Sequence, residues 1–174
     1  MKALARTAAI ATLAIGAASA QAQLYGELGY VGIRDKFSVA GTEYKPNLGA
    51  LSATLGYGLH QNLAIEGMLA AGVKDDTVGG VKLELQHSVG VFLKPRVMLS
   101  PEFELFGRIG YVESKAKGRM GGASASDSSS DWAYGLGANY YFNNATYGTL
   151  SYMRLYDKDG EQVNGLTLGV GMKF

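Results

Sequence analysis

The chain has 174 residues, with 16 Lys plus Arg against 15 Asp plus Glu, 25 glycines, 3 prolines, 11 tyrosines and no cysteine. The near-neutral balance gives no basis for a nucleic-acid partner, and the missing thiol excludes disulfides, zinc–thiolate sites and a Cys nucleophile. Glycine without proline, and without a three-residue period, excludes collagen and a disordered linker.

The first 22 residues read as a signal peptide. Lys2 and Arg6 form a basic start, Thr7 to Gly16 is apolar, and Ala18-Ser19-Ala20 and Ala20-Gln21-Ala22 each offer a small-x-small cleavage site. The apolar run is too short for a membrane helix, which needs about 20 residues. Cleavage after Ala20 or Ala22 fits equally well. Without Lys2 and Arg6, Lys plus Arg falls from 16 to 14 against 15 acids, a formal charge of −1. Residues 23–174 then form one domain. An exported chain with no apolar helix can still span a membrane as a closed barrel.

Beyond residue 23 the hydrophobic period is two, the mark of strands with one apolar face. Leu24, Leu28 and Tyr30 alternate with Glu27 and Gly29. In the second segment, Leu51, Ala53, Leu55, Tyr57 and Leu59 alternate with Ser52, Thr54, Gly56 and Gly58. In the third, Leu63, Ile65 and Leu69 alternate with Glu66. The fourth sets Val81, Leu83, Leu85, Val89, Val91 and Leu93 against Lys82, Glu84, Gln86, Ser88 and Lys94. In the fifth, Phe103, Leu105, Ile109 and Tyr111 alternate with Glu104 and Arg108. The sixth pairs Trp132, Tyr134, Leu136, Tyr140 and Phe142 with Gly135, Gly137 and Asn139. The seventh, around Tyr147 to Tyr156, is irregular, because Arg154 shares the parity of Leu150 and Tyr152. In the eighth, Leu166, Leu168, Val170, Met172 and Phe174 alternate with Gly165, Thr167, Gly169, Gly171 and Lys173.

These segments predict an all-β fold: an eight-stranded antiparallel up-and-down transmembrane barrel following the cleaved signal peptide. Connections alternate between short (60–62, 99–102, 143–144) and long (34–46, 73–80, 114–131, 157–162), the asymmetry of outer-membrane barrels with long loops outside the cell. The Gly, Ala and Ser of 118–130 predict a mobile loop tip. A soluble eight-stranded barrel would turn the polar parity to water, but here that parity is rich in glycine and serine and poor in charge. Tyr30, Tyr57, Tyr111, Trp132, Phe142 and Phe174 near strand ends suit interfacial belts.

The opening Leu24-Tyr25-Gly26-Glu27-Leu28-Gly29-Tyr30 and the final Gly165-Leu166-Thr167-Leu168-Gly169-Val170-Gly171-Met172-Lys173-Phe174 resemble the small outer-membrane β-barrel family. That family includes opacity-type surface proteins and the OmpA transmembrane domain. The resemblance implies an outer membrane of a Gram-negative bacterium, with outer-membrane lipids and lipopolysaccharide as surroundings. It also implies that Leu166, Leu168, Val170, Met172 and Phe174 resemble the signal read by the barrel-assembly machinery. With no peptidoglycan-binding domain after Phe174, no cell-wall anchor is expected.

Chemistry is sparse. His87 and Ser88 are adjacent and so point to opposite faces of a strand, which leaves no nucleophile–base pair. His60 belongs to a turn. Asp157-Lys158-Asp159-Gly160-Glu161 lacks the ligand set of a calcium loop. The Gly-x-Gly pairs at 56–58, 135–137 and 169–171 open no helix, so no nucleotide site follows. Asn144-Ala145-Thr146 is a formal sequon in a short turn. No catalytic residue, metal or cofactor is expected. The informative residues are the charges on the polar parity: Glu27, Glu66, Lys82, Glu84, Lys94, Arg96, Glu104, Arg108 and Lys173. In a narrow interior these should pair, Glu104 with Lys94 or Arg96 and Arg108 with Glu84 or another inward acid. The expected role is a structural or surface-interaction barrel with four external loops, a plugged lumen and an unnamed extracellular ligand. A narrow porin-like channel and a lipid-modifying enzyme are the alternatives.

Overall fold

The computed structural model describes residues 24–39, 42–44, 47–78, 81–120, 123–158 and 161–174. The signal segment, with both cleavage sites, lies outside the described residues. The strands are β1 (Leu24–Val39), β2 (Thr42–Tyr44), β3 (Asn47–His60), β4 (Leu63–Lys74), β5 (Asp76–Val78), β6 (Val81–Ser100), β7 (Phe103–Met120), β8 (Ala123–Tyr141), β9 (Thr146–Lys158) and β10 (Glu161–Lys173). No helix occurs among the described residues. The eight long strands pair antiparallel with their chain neighbours, while β2 and β5 are short additions to β1 and β6. β10 pairs back onto β1 from Tyr25↔Lys173 to Lys36↔Gln162, which closes the sheet. Closure leaves no unpaired edge, the condition for a β-structure in a solvent without hydrogen bonds.

The apolar parity faces out. Leu136 is 74% exposed, Leu168 67% and Leu28 65%. In water such a wall would be an aggregation surface, whereas in a bilayer it is the lipid contact. Aromatics gather at both ends of this wall. Tyr111 and Trp132 meet edge to face at 6.1 Å, and Tyr140 and Phe142 do so at 5.7 Å nearer the chain termini. Interfacial belts occupy such levels.

Two expectations need correction. First, the long connections are largely strand. β7 and β8 stay paired up to Met120↔Ala123, so the stretch expected as a mobile loop is a continued hairpin. The ladder satisfies each backbone group locally, and 115, 117 and 119 already alternate basic with small residues. Second, the outward parity of the fourth segment does not run through. A bulge between Leu85 and His87 shifts the register, and a one-residue shift exchanges faces. Leu85 therefore packs into the interior, while Gln86 is exposed.

Leu28→Arg, on the lipid-facing wall of β1, is expected to lower stability by about 2–4 kcal/mol, and Gln86→Arg by about 1 kcal/mol at most. Urea unfolding in phospholipid vesicles measures both, and equal losses would contradict a Leu28 within the hydrocarbon and a Gln86 beyond the Tyr111 belt.

Candidate functional site: the filled lumen

Inward-facing positions of β1, β4, β6 and β7 bring five charged residues together: Glu27, Glu66, Lys94, Glu104 and Arg108, all buried. Arg108 is the hub. Its Nε donates to Glu66 Oε2 at 2.5 Å, and its Nη2 donates to Glu27 Oε2 at 2.6 Å and to Glu66 Oε1 at 3.1 Å. Lys94 Nζ lies 3.2 Å from Glu27, 3.3 Å from Glu66 and 3.9 Å from Glu104. Arg96 reaches Glu104 at 3.7 Å and donates from Nε to the Gln61 carbonyl at 3.1 Å, tying the cluster to the turn between β3 and β4. The planar fork of Arg108 suits two carboxylates at once.

Side chains that the charge pattern missed complete the network. The Tyr25 hydroxyl donates to Glu66 at 2.6 Å, Tyr147 to Glu27 at 3.0 Å, Tyr141 to Glu104 at 3.2 Å, and the Asn139 amide to Glu104 at 2.8 Å. Tyr25 shares the parity of Glu27, which was the available signal for its inward orientation. Phe106 lies beneath both cations, 4.2 Å from Lys94 Nζ and 4.8 Å from the Arg108 guanidinium carbon. Lys173 stands 4.0 Å over the Tyr141 ring. Such cation–π contacts strengthen with desolvation.

Lys82 and Glu84, expected in the lumen, are not there. The bulge at Gln86 turns them to the outer side, where Lys82 pairs with Asp75 and lies 3.2 Å from Glu84, and Arg119 lies 3.5 Å from Glu84. The Lys82 hydrogen bond holds the Asp75 carboxyl below the usual range and raises the Lys82 ammonium above its own. Arg108 accordingly pairs with Glu27 and Glu66 from across the barrel, and not with an acid on an adjacent strand. The lumen also holds an apolar layer that the charge pattern did not indicate. Phe92, Val112, Ala133 and Met153 pack with Met68 and Leu155, and Val31, Ile33 and Ala50 with Leu48, Ala70, Leu85 and Val163. This layer lies on the side of the ion cluster away from the chain termini. A cavity of about 30 Å³ remains within it, room for about one or two waters but with few polar partners to hold them.

His87 is exposed and Ser88 is buried, with Ser88 Oγ 2.8 Å from Ser114 Oγ. His60 accepts from the Asn62 amide at 3.4 Å. No group of three His, Cys, Asp or Glu able to hold a metal occurs among the described residues. Residues 159–160 of the acidic segment lie outside the described residues. Leu166, Leu168, Val170, Met172 and Phe174 all face out, and the Phe174 amide donates to the Leu24 carbonyl at 2.8 Å.

Residues 5–174 match the family described as the outer membrane protein beta-barrel domain. The chain belongs to that family. It is an integral outer-membrane β-barrel with a plugged lumen. Among solved structures it is similar to Ail, the attachment invasion locus protein of Yersinia pestis, at 20% identity over 89% of this chain and 100% of that one, with a TM-score of 0.68. Ail has also been crystallised with the heparin analogue sucrose octasulfate. Neisserial surface protein A is similar at 13% identity, 87% and 97% coverage and a TM-score of 0.69. The N-terminal barrel domain of Pseudomonas aeruginosa OprF follows at 18% identity, 88% and 100% coverage and 0.63. These likenesses show the fold. No curated protein matches the chain.

Arg108→Ala strands two carboxylates on a single lysine and is expected to cost about 3–5 kcal/mol of stability in detergent or lipid. Glu104→Gln removes the two longest ion pairs of the cluster and leaves one acceptor oxygen for Asn139 and Tyr141, and it should cost distinctly less. The temperature at which the folded gel band converts to the unfolded one ranks the two variants.

Proposed function

We propose that the protein is exported by residues 1–22, matured to 23–174 and placed in the outer membrane as a non-enzymatic barrel that works at the cell surface. The observation that carries this reading is strand length. β6, β7 and β8 run 20, 18 and 19 residues, where a tilted strand needs only about 9–11 to cross the hydrocarbon. The surplus projects from the end opposite the chain termini, where four hairpin connections gather. On β7 that surplus carries Lys115, Lys117 and Arg119 at alternate positions, paired with the serine-rich strand of β8. Such a surface offers charge and hydroxyls to an extracellular partner and does nothing for spanning.

The lumen supports no channel. An ion would have to leave water at the Phe92–Met153 layer, and apolar constrictions of this kind close by dewetting. Nor does the geometry favour a lipid-modifying enzyme, since His87 and Ser88 lie on opposite faces of the wall. An epitope inserted between Met120 and Ala123 is expected to bind antibody on intact cells, and the purified barrel to give no stepwise current in a planar bilayer. Labelling only after permeabilisation, or discrete conductance steps, would replace this reading.

Outer-membrane lipids and lipopolysaccharide are the surroundings this wall fits, and the outward row from Leu166 to Phe174 is the face the barrel-assembly machinery would read. Deleting Phe174 is expected to reduce the amount of barrel in the outer membrane several-fold, measured by fractionation and blotting. Undiminished insertion would remove the terminal aromatic from that role.

A further inference from the structure

Beyond the closed barrel, β8 outlasts its neighbour. Its pairing with β7 runs without a register shift from Phe103↔Tyr140 to Met120↔Ala123, whereas its pairing with β9 ends at Tyr134↔Arg154. Just above that point Leu155 is an extra residue in β9, between the pairs Asn164↔Arg154 and Val163↔Tyr156. A bulge of this kind bends a strand and can end its pairing. Among the described residues no other strand joins β8 between Ala123 and Ala133. The far side of the hairpin is braced, since β6 stays paired with β7 up to Lys82↔Arg119. A platform of β6, β7 and β8 therefore continues above the barrel, with one edge of β8 as its border.

The register fixes which backbone groups line that edge. The Tyr141 amide donates to the Glu102 carbonyl on the β7 side, and the next amide, of Phe142, donates to the Thr146 carbonyl on the β9 side. Antiparallel ladders alternate in this way. Odd-numbered residues of β8 thus bond to β7, while the even-numbered ones, Ser126 and Ser130 among them, turn N–H and C=O to the edge. The Trp132 amide, in the same row, is already taken by the Asp131 carboxylate at 2.8 Å. Residues 124–130 span about 20 Å, the length of an ordinary strand. Natural edges are blunted by proline, lysine or a bulge, and the stretch Ser124-Ala125-Ser126-Asp127-Ser128-Ser129-Ser130 has none of them. Behind its short serines, Lys117 and Lys115 of β7 pair in register with Ser126 and Ser128. Both lysines share the outward parity of Tyr111, whose hydroxyl donates to Ser130 Oγ at 2.8 Å. Arg119 is drawn to Glu84 at 3.5 Å, which leaves the two lysines as the cations that face a newcomer.

We propose that this edge of β8 takes up an extended segment of a partner protein as an additional strand, and that the segment carries acidic side chains on its outward parity. In strand addition, main-chain bonds supply affinity and alternate side chains supply selectivity. An added strand lies two strand spacings from β7, roughly 10 Å. A lysine and a glutamate close that gap from its two sides, over serines too short to obstruct them. A second copy of this chain fits less well, because its own outward row is serine and brings no acid to the lysines. An anionic polysaccharide would meet the lysines but has no row of amides for the edge. The inference rests on the reading that this end of the barrel works at the cell surface.

The test uses the full folded barrel in nonionic detergent and a fluorescein-labelled seven-residue peptide that alternates glutamate with valine, read by fluorescence anisotropy. Saturable binding is expected, and the same peptide with lysine in place of glutamate should bind on the order of tenfold more weakly. N-methylation of one parity of the peptide's amides should abolish binding and methylation of the other should leave it unchanged, because a strand turns only every second amide to a given neighbour. In the barrel, Ser126→Pro removes an edge N–H and should abolish binding, while Ser126→Ala should leave it intact. Heat-modifiable gel migration shows that both variants are folded. Equal effects of the two methylation patterns, loss of binding in Ser126→Ala, or no binding of the glutamate peptide would each overturn the proposal. Displacement by sucrose octasulfate, with methylation of either parity tolerated, would overturn it in favour of a sulfated polysaccharide on the lysines. Labelling of the 120–123 epitope only after permeabilisation would instead remove the surface placement, a result independent of binding in detergent.

Discussion

Hydrocarbon offers no hydrogen bonds, so each backbone N–H and C=O within the membrane must find its partner inside the chain. The pairing of β10 with β1 answers that requirement, and the rest of the molecule follows from it. Closing eight strands fixes an interior just wide enough for side chains to fill. Whatever points inward is thereby removed from water, and its chemistry has to be settled among neighbours. The outward parity faces a solvent as apolar as itself and is free to be leucine and valine. The hydrophobic pattern of a soluble protein is thus turned inside out, and what corresponds to a core here is partly ionic.

That interior is made of two materials in layers. Toward the termini, three glutamates meet Lys94, Arg96 and Arg108, and four side chains from β1, β8 and β9 complete their hydrogen bonding. Toward the outside, Phe92, Met153, Ile33 and their neighbours form a dry plug. A buried charge is costly alone and tolerable when each partner is held in place, and the tyrosine hydroxyls supply much of that holding. The apolar layer has a different effect. It removes the continuous polar path along which water could follow the charges through the wall. Neither layer alone would both fill the barrel and seal it.

Much of this was legible in the sequence, because a strand in a one-walled barrel writes its orientation at every second residue. The eight segments, the lipid-facing leucines from Leu28 to Leu168 and the inward charges Glu27, Glu66, Lys94, Glu104 and Arg108 all follow from parity. Parity fails where the count is broken. The extra residue at Gln86 reverses the faces upstream of it, which carried Lys82 and Glu84 out of the lumen and Leu85 into it, and no residue type in that stretch announces a bulge. Tyrosine is ambiguous for a different reason. It is at home in an interfacial belt and equally able to donate a hydrogen bond to a buried carboxylate, so Tyr25, Tyr141 and Tyr147 could not be assigned from identity alone. The serine-rich stretch misled because small polar residues favour irregular chain in most settings, while here a ladder already begun in the membrane simply continues.

The span of the interior contacts has a kinetic meaning. Each hairpin joins neighbours in the chain and can form early. The bonds of the ion cluster cannot, because Arg108 and Glu27 are 81 residues apart and Tyr147 and Glu27 are 120 apart. Contacts of such separation come late, after the loop entropy between them has been lost. Until β9 and β10 arrive, Glu27 lacks part of its hydrogen bonding, and the first strand lacks its second neighbour. A half-inserted sheet therefore exposes both an open edge and an incompletely matched charge, and each favours completion over arrest. Final closure of the sheet and neutralisation of its interior become one cooperative event, which leaves incomplete barrels few stable places to stop.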